Sequence, residues 1–198
     1  VVIGVHGFFG KRLLEQVERL GAKAEVVEVP FGEALAFDRV AKAVEREPTA
    51  LVAVVHAETS TGVLQNLEGF GALCKERDAL FVVDCVTSLG GAPFEADRLG
   101  VDAAFSCSQK CLGGPPGLSP VTFSERALEK VGRRRAKPAI FALDLAPLLD
   151  YWTGSRAYHH TAPIGSIFAL HEALGLLLDE GLDAAFARHK KTQDALIP

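Results

Sequence analysis

The sequence contains no methionine at all, and its 198 residues include only four cysteines. No apolar run reaches the roughly eighteen residues that a helix needs to cross a bilayer, and no leader pattern opens the chain. It starts directly on the strand-like VVIGV, so it reads as an internal piece of a longer protein. The cysteines (74, 85, 107 and 111) form neither a C-x-x-C pair nor a spaced disulfide framework, which excludes a disulfide-stapled secreted module. Cys107 and Cys111 lack a second ligand pair, and His159-His160 has no acidic cluster nearby, so no metal site is expected. Reduced thiols point to the cytoplasm, with an organelle left open. A strong charge bias is also missing: the net charge is −4, with Lys and Arg spread along the chain. That argues against a nucleic-acid or membrane surface, and Arg133-Arg134-Arg135 reads as a solvated helix end.

What is present is alternation. VVIGV (1–5), AEVVEV (24–29), ALVAVVH (50–56), LFVVD (80–84), DAAFS (102–106) and SPVTFS (119–124) read as strands bounded by Gly, Pro or Asp. Between them, 10–20, 35–46, 66–77 and 125–134 carry helical spacing, with Ser124 placed to cap the last. Beyond about residue 137 the pattern turns helical, clearest over 166–182, where Ala169, Ala173, Leu176 and Leu177 predict an apolar stripe. Such βα alternation predicts an α/β fold, three-layered, with a mostly parallel sheet and helices on both faces. Ala79–Val83 is apolar throughout, as a strand covered on both sides should be.

Ligands of such sheets bind beyond the carboxyl ends of the strands. Three polar sets fall there: the segment from His56 to Gly62, Asp84, and the segment from Ser106 to Lys110. Asp84 ends an apolar strand, where a carboxylate is costly without a partner; it is either a cap, a structural ion pair or a ligand-facing acceptor. Lys110 stands at the equivalent place after another strand, alone among small residues in SCSQKCLGGPPG. A lysine and an aspartate at the mouth of an α/β sheet suit pyridoxal 5′-phosphate. The shielded amine forms a Schiff base, and the carboxylate keeps the pyridine nitrogen protonated. Nucleotide sites also use such residues. GVHGFFGKR (4–12), however, lacks the glycine and Ser/Thr of a phosphate-binding loop, with Val5 and Arg12 in their places.

HAETSTGVLQNLEGFGALCKERDALFVVDCVTSLGG followed by DAAFSCSQKCLGGPPGLSPVTFSERA resembles the alanine–glyoxylate / serine–pyruvate aminotransferases, in the class V branch of the fold-type I pyridoxal-phosphate enzymes. GFFGKR and YHHTAP extend the likeness over nearly the whole chain. The resemblance implies a PLP-dependent transaminase moving an amino group from alanine or serine to glyoxylate or pyruvate. It implies that residues 1–198 are the large cofactor-binding domain, with a phosphate loop upstream and a carboxylate-binding arginine downstream.

Matched position by position, Lys110 is the Schiff-base lysine and Asp84 the partner of the pyridine nitrogen. Phe9, where the family usually has tryptophan, matches the aromatic stacked on the pyridine ring, and Val86 matches a residue packing on one ring face. Thr59 lies near the phenolic oxygen and Gln109 contacts the phosphate, while Tyr158 and Thr161 reach the phosphate of the neighbouring subunit in a homodimer. Cys107 replaces the glycine of most relatives, and both loop cysteines read as incidental small residues. The alternatives are a cysteine-desulfurase-like lyase, an aminoethylphosphonate-type transaminase, or a non-catalytic domain of the same fold. Gln109 before the lysine and the lack of cysteine after Cys111 argue against the desulfurase.

Overall fold

The strands predicted from apolar runs all form in a computed structural model, which describes residues 1–196. They are β1 (Val2–Val5), β2 (Glu25–Glu28), β3 (Leu51–Val55), β4 (Leu80–Asp84), β5 (Ala103–Phe105) and β6 (Val121–Phe123). They build one sheet in the order β2-β1-β3-β4-β5-β6, parallel except for β6, which runs antiparallel to β5. Helices α1 (Phe8–Arg19), α2 (Phe37–Arg46), α3 (Phe70–Glu76) and α4 (Glu125–Gly132) alternate with the strands. They are followed by a 3₁₀ turn (Phe141–Leu143), α5 (Leu145–Thr153), α6 (Ile164–Glu180) and α7 (Leu182–Leu196).

The sheet buries both faces. On one, Val40 and Val44 of α2 and Phe70 and Leu73 of α3 cover Val52, Val54, Phe81 and Val83. Phe70 stacks on Phe81 with centroids 5.8 Å apart; each such ring contributes about 2–3 kcal/mol by leaving water. On the other face, Leu13, Leu14 and Val17 of α1 cover Ile3, Val5 and Ala53. A third cluster joins Leu112, just past Lys110, to Leu177 of α6 and Ala185 of α7. It anchors the lysine loop to the helical end of the chain.

Two sequence expectations change. The helix expected over 66–77 begins only at Phe70, because the Asn66 carboxamide accepts the Glu68 amide and Gly69 adopts a left-handed φ of 84°. In α6, Leu177 is buried but Leu176 is 64% exposed, so the predicted stripe is narrower than its spacing suggests. The Ser124 cap forms, its hydroxyl accepting the Ala127 amide at 3.1 Å.

That cap belongs to a buried polar knot. Asp102 accepts from the Phe81 amide (2.8 Å), the Ser124 hydroxyl (2.7 Å) and the Arg126 guanidinium. Burial alone would raise the Asp102 pKa, but these three donors outweigh it and hold the carboxyl below its ordinary value. Arg126→Ala should cost about 3 kcal/mol at neutral pH, because it strands a buried carboxylate. Stability from a depressed carboxylate is present above its unfolded pKa of about 4 and is lost as pH falls through the folded value. The Arg126→Ala deficit should therefore shrink on acidification below about pH 4, as denaturant melts across pH would show.

Candidate active site

Parallel pairing aligns the carboxyl ends of β1, β3, β4 and β5, with Val55 opposite Asp84 and Asp84 opposite Phe105. Four loops therefore open on the same edge, carrying residues 6–10, 56–62, 84–88 and 106–111.

Asp84 is 8% exposed. Its Oδ1 accepts the Val86 amide at 2.9 Å, and no ion pair among the described residues reaches it. Burial pushes its pKa up to about 6; the Val86 hydrogen bond opposes the rise and the nearby Glu58 charge adds to it. A carboxylate this poorly compensated is primed to accept a hydrogen bond from a cationic N–H. Beside it, Val86 is half-buried, with its backbone turned back onto Asp84.

The Lys110 loop is a closed excursion. Ser106 and Ser108 amides donate to the carbonyls of Pro120 (2.9 Å) and Leu118 (3.1 Å), zipping its base. The Gly113 amide then bonds the Lys110 carbonyl at 3.0 Å, and Gly113 takes a φ of 74°, which a side chain would resist. Lys110 and Gln109 lie exposed at the tip, with no side-chain hydrogen bond among the described residues. The shielding expected for the amine is thus not supplied by the described residues, which leave Lys110 exposed.

The loop cysteines are not incidental, a correction with a geometric reason. The Cys111 thiol points at the Thr87 carbonyl (3.1 Å) and Cys107 at the Val86 carbonyl (3.9 Å). Cys85 similarly faces the Phe105 carbonyl at 3.1 Å. Weak S–H donors thus stitch the lysine loop to the turn carrying Asp84 and Val86. Cys107, 8% exposed, fits its turn by this contact.

Thr59 is exposed at the sheet edge, its hydroxyl paired with that of Thr87. His56, at the start of the 56–62 segment, is buried; its Nδ1 pairs with the Ser88 hydroxyl at 2.8 Å, and its ring packs on Phe94. Burial pushes its pKa down to about 4, so it is neutral near pH 7. Phe9, in the first turn of α1, is half-buried between the Phe8 ring and the Arg12 guanidinium, 5.3 Å from its centroid.

Tyr158 and Thr161 stand apart from this edge. Their hydroxyls bond each other at 2.8 Å in the exposed segment before α6, with no hydrogen bond to the strand-end loops among the described residues. His159 and His160, adjacent in sequence, do contact each other, Nδ1 to Nδ1 at 2.9 Å. No group of three or more His, Cys, Asp or Glu among the described residues is arranged to hold a metal ion. Sequence reasoning passed over Glu58 and Thr87. Glu58 lies three residues beyond the end of β3, inside the segment from His56 to Gly62 that drew notice only as a set.

This arrangement has close counterparts. The profile of the class V aminotransferases matches residues 4–197. The alanine–glyoxylate aminotransferase of Oryctolagus cuniculus is 39% identical over 98% of this chain and 50% of its own length. The (S)-ureidoglycine–glyoxylate transaminase of Bacillus subtilis is 36% identical over 99% of this chain and 51% of its own. Among solved structures, an alanine–glyoxylate aminotransferase from Nostoc sp. superposes with a TM-score of 0.95 at 50% identity, covering 98% of this chain and 52% of that one. A cysteine desulfurase from Thermococcus onnurineus shares the fold at a TM-score of 0.68 and 21% identity. The chain spans about half the length of the curated relatives it matches. With its α/β sheet, its helices on both faces and these likenesses, the chain belongs to the class V aminotransferase family.

Proposed function

We propose that this chain is the large, cofactor-binding domain of a pyridoxal-phosphate aminotransferase that moves an amino group from alanine or serine to glyoxylate or pyruvate. The observation that carries the reading is Asp84, a buried carboxylate with a raised pKa and no cation among the described residues. That is the acceptor a protonated pyridine nitrogen requires. The residues present fit the group: an amine at Lys110, an acceptor at Asp84, an aromatic at Phe9, an apolar side chain at Val86, a hydroxyl at Thr59 and an amide at Gln109.

Pyridoxal 5′-phosphate, when bound, supplies an electron-poor ring that stabilises negative charge at the substrate α-carbon. Lys110 would hold the group through its amine and would carry a proton from the substrate α-carbon to the C4′ carbon of the group, acting first as general base and then as general acid. Asp84 holds the ring-nitrogen proton in place. Thr59 and Gln109 would orient the group, and Phe9 and Val86 would pack against its ring and exclude water from it. Glyoxylate occurs in the names of both kinds of relative, which favours a small oxo acid as acceptor.

A homodimer belongs to the same reading. Ile140, Phe141, Leu143, Trp152, Ile164 and Phe168 are exposed along residues 140–168, the stretch that also carries Tyr158 and Thr161. An apolar surface of this kind is costly to leave in water. A second copy covering it would bring Tyr158 and Thr161 to the phosphate of the other subunit. We place the protein in the cytoplasm, in keeping with four free cysteines.

The full-length protein, assayed with amino donors against glyoxylate and pyruvate, should turn over alanine or serine and should sediment as a dimer. Failure to transaminate any donor in the presence of pyridoxal phosphate would overturn the functional reading.

A further inference from the structure

Helix α1 begins at Phe8 after Gly7, which has no side chain with which to cap it. The first amides of a helix have no partner within it, and buried ones left unpaired are costly. Here they are satisfied from about fifty residues away. Glu58 Oε2 accepts the amides of Phe9 (3.1 Å) and Gly10 (3.2 Å), and the Ser60 hydroxyl accepts that of Phe8 (2.9 Å). The other Glu58 oxygen, Oε1, accepts the Ser60 amide (3.0 Å) and hydroxyl (2.7 Å), locking the turn onto itself. Glu58 is 1% exposed and has no cationic side-chain partner among the described residues. Its charge is instead met by the positive end of α1. Gly7 makes room for it: a Cβ there would lie 2.3 Å from Glu58 Cγ.

Two residues assigned to the cofactor pocket sit on this clamp. Phe9 donates its own amide to Glu58, and Thr59 lies between the two capping residues. We propose that Glu58 is a positioning residue of the cofactor site, fixing Phe9 and Thr59 on one rigid platform by tying the start of α1 to the 58–60 turn. The inference rests on the functional reading above and goes beyond it, since nothing in the pairing of Lys110 with Asp84 requires this carboxylate. A glutamine cannot replace it. All the groups facing the two oxygens are donors, and a carboxamide would turn its own N–H groups towards one pair of them.

The test is a double-mutant cycle in the full-length protein, combining Glu58→Gln with Phe9→Leu. Pyridoxal-phosphate affinity, the visible circular dichroism of the bound cofactor and kcat/KM are read for each member. Glu58→Gln alone should weaken cofactor affinity and lower kcat/KM by roughly ten- to a hundredfold, as slight misplacement of a site does. It should also diminish the visible dichroic band while the far-ultraviolet spectrum is unchanged. In the Phe9→Leu background the same substitution should cost less, because only its hold on Thr59 then reaches the cofactor.

Additive losses in the cycle, or unchanged affinity and dichroism in Glu58→Gln, would overturn the proposal. If Glu58→Gln fails to fold, Ser60→Ala, which removes one arm of the clamp, is read in the same cycle with the same two outcomes. A wild-type protein that takes up no cofactor overturns the functional reading itself. A wild-type protein that binds it normally, with an additive cycle, overturns the role of Glu58 alone.

Discussion

On the proposed function, Lys110→Ala should lower the transamination rate of the full-length protein by about four orders of magnitude, since the variant would lose both the tether and the proton carrier. The fold does not change. Lys110 is exposed and makes no side-chain hydrogen bond or ion pair among the described residues. Its loop is instead held by the Ser106, Ser108 and Gly113 amides and by Leu112, which packs against Leu177 and Ala185. Truncating such a surface side chain changes stability by about 0.5 kcal/mol or less. Steady-state kinetics beside a denaturant melt checks both halves. A variant that kept full activity would remove Lys110 from the mechanism, whereas one that unfolded would show the lysine to be structural.

Asp84→Asn separates function from stability in the opposite way. Its transamination rate should fall about a thousandfold, the scale on which one preorganised electrostatic partner acts. The cofactor-free protein should nevertheless become more stable. The wild-type carboxyl has a folded pKa of about 6, against about 4 when unfolded. A raised carboxyl pKa means that the folded state holds its proton more tightly, so stability declines as pH rises from about 4 through 6. Two pKa units correspond to about 3 kcal/mol at pH 7, and relaxation around the charge reduces the gain expected from asparagine to about 2 kcal/mol. Asparagine can still accept the Val86 amide, and below about pH 4 the two proteins should converge. Urea melts of the cofactor-free forms across pH test this. Equal stability at pH 7 would mean that Asp84 carries no uncompensated charge.

The strands were legible because nearly continuous apolar runs suit a sheet covered on both faces, and Leu80–Asp84 forms over the residues that the sequence indicates. Helix ends were less so: spacing extends a helix to residue 66, while the Asn66 side chain and the left-handed Gly69 delay it to Phe70. Leu176 shows a related limit, since helical periodicity selects a face without saying how much of it another element covers.

At the site, Asp84 and Lys110 stood out because charge at the end of an apolar strand is unusual, while the remaining assignments came from resemblance. Glu58 was missed because its partners are main-chain amides forty-eight and forty-nine residues away, and no pattern in the sequence encodes that meeting. The contacts of the Cys107 and Cys111 thiols were not legible for the same reason, as their partners are the carbonyls of Val86 and Thr87. Tyr158 and Thr161 come together with each other but not with the strand-end loops. Their assigned place needs a second subunit.

The central claim is that the amine of Lys110 carries the cofactor. Borohydride reduction of the full-length protein with pyridoxal phosphate, followed by peptide mapping, tests it most directly. The account predicts a single pyridoxyl group on the peptide containing Lys110, and none after Lys110→Ala. A protein that stays unlabelled, or a label fixed on another lysine, would contradict it.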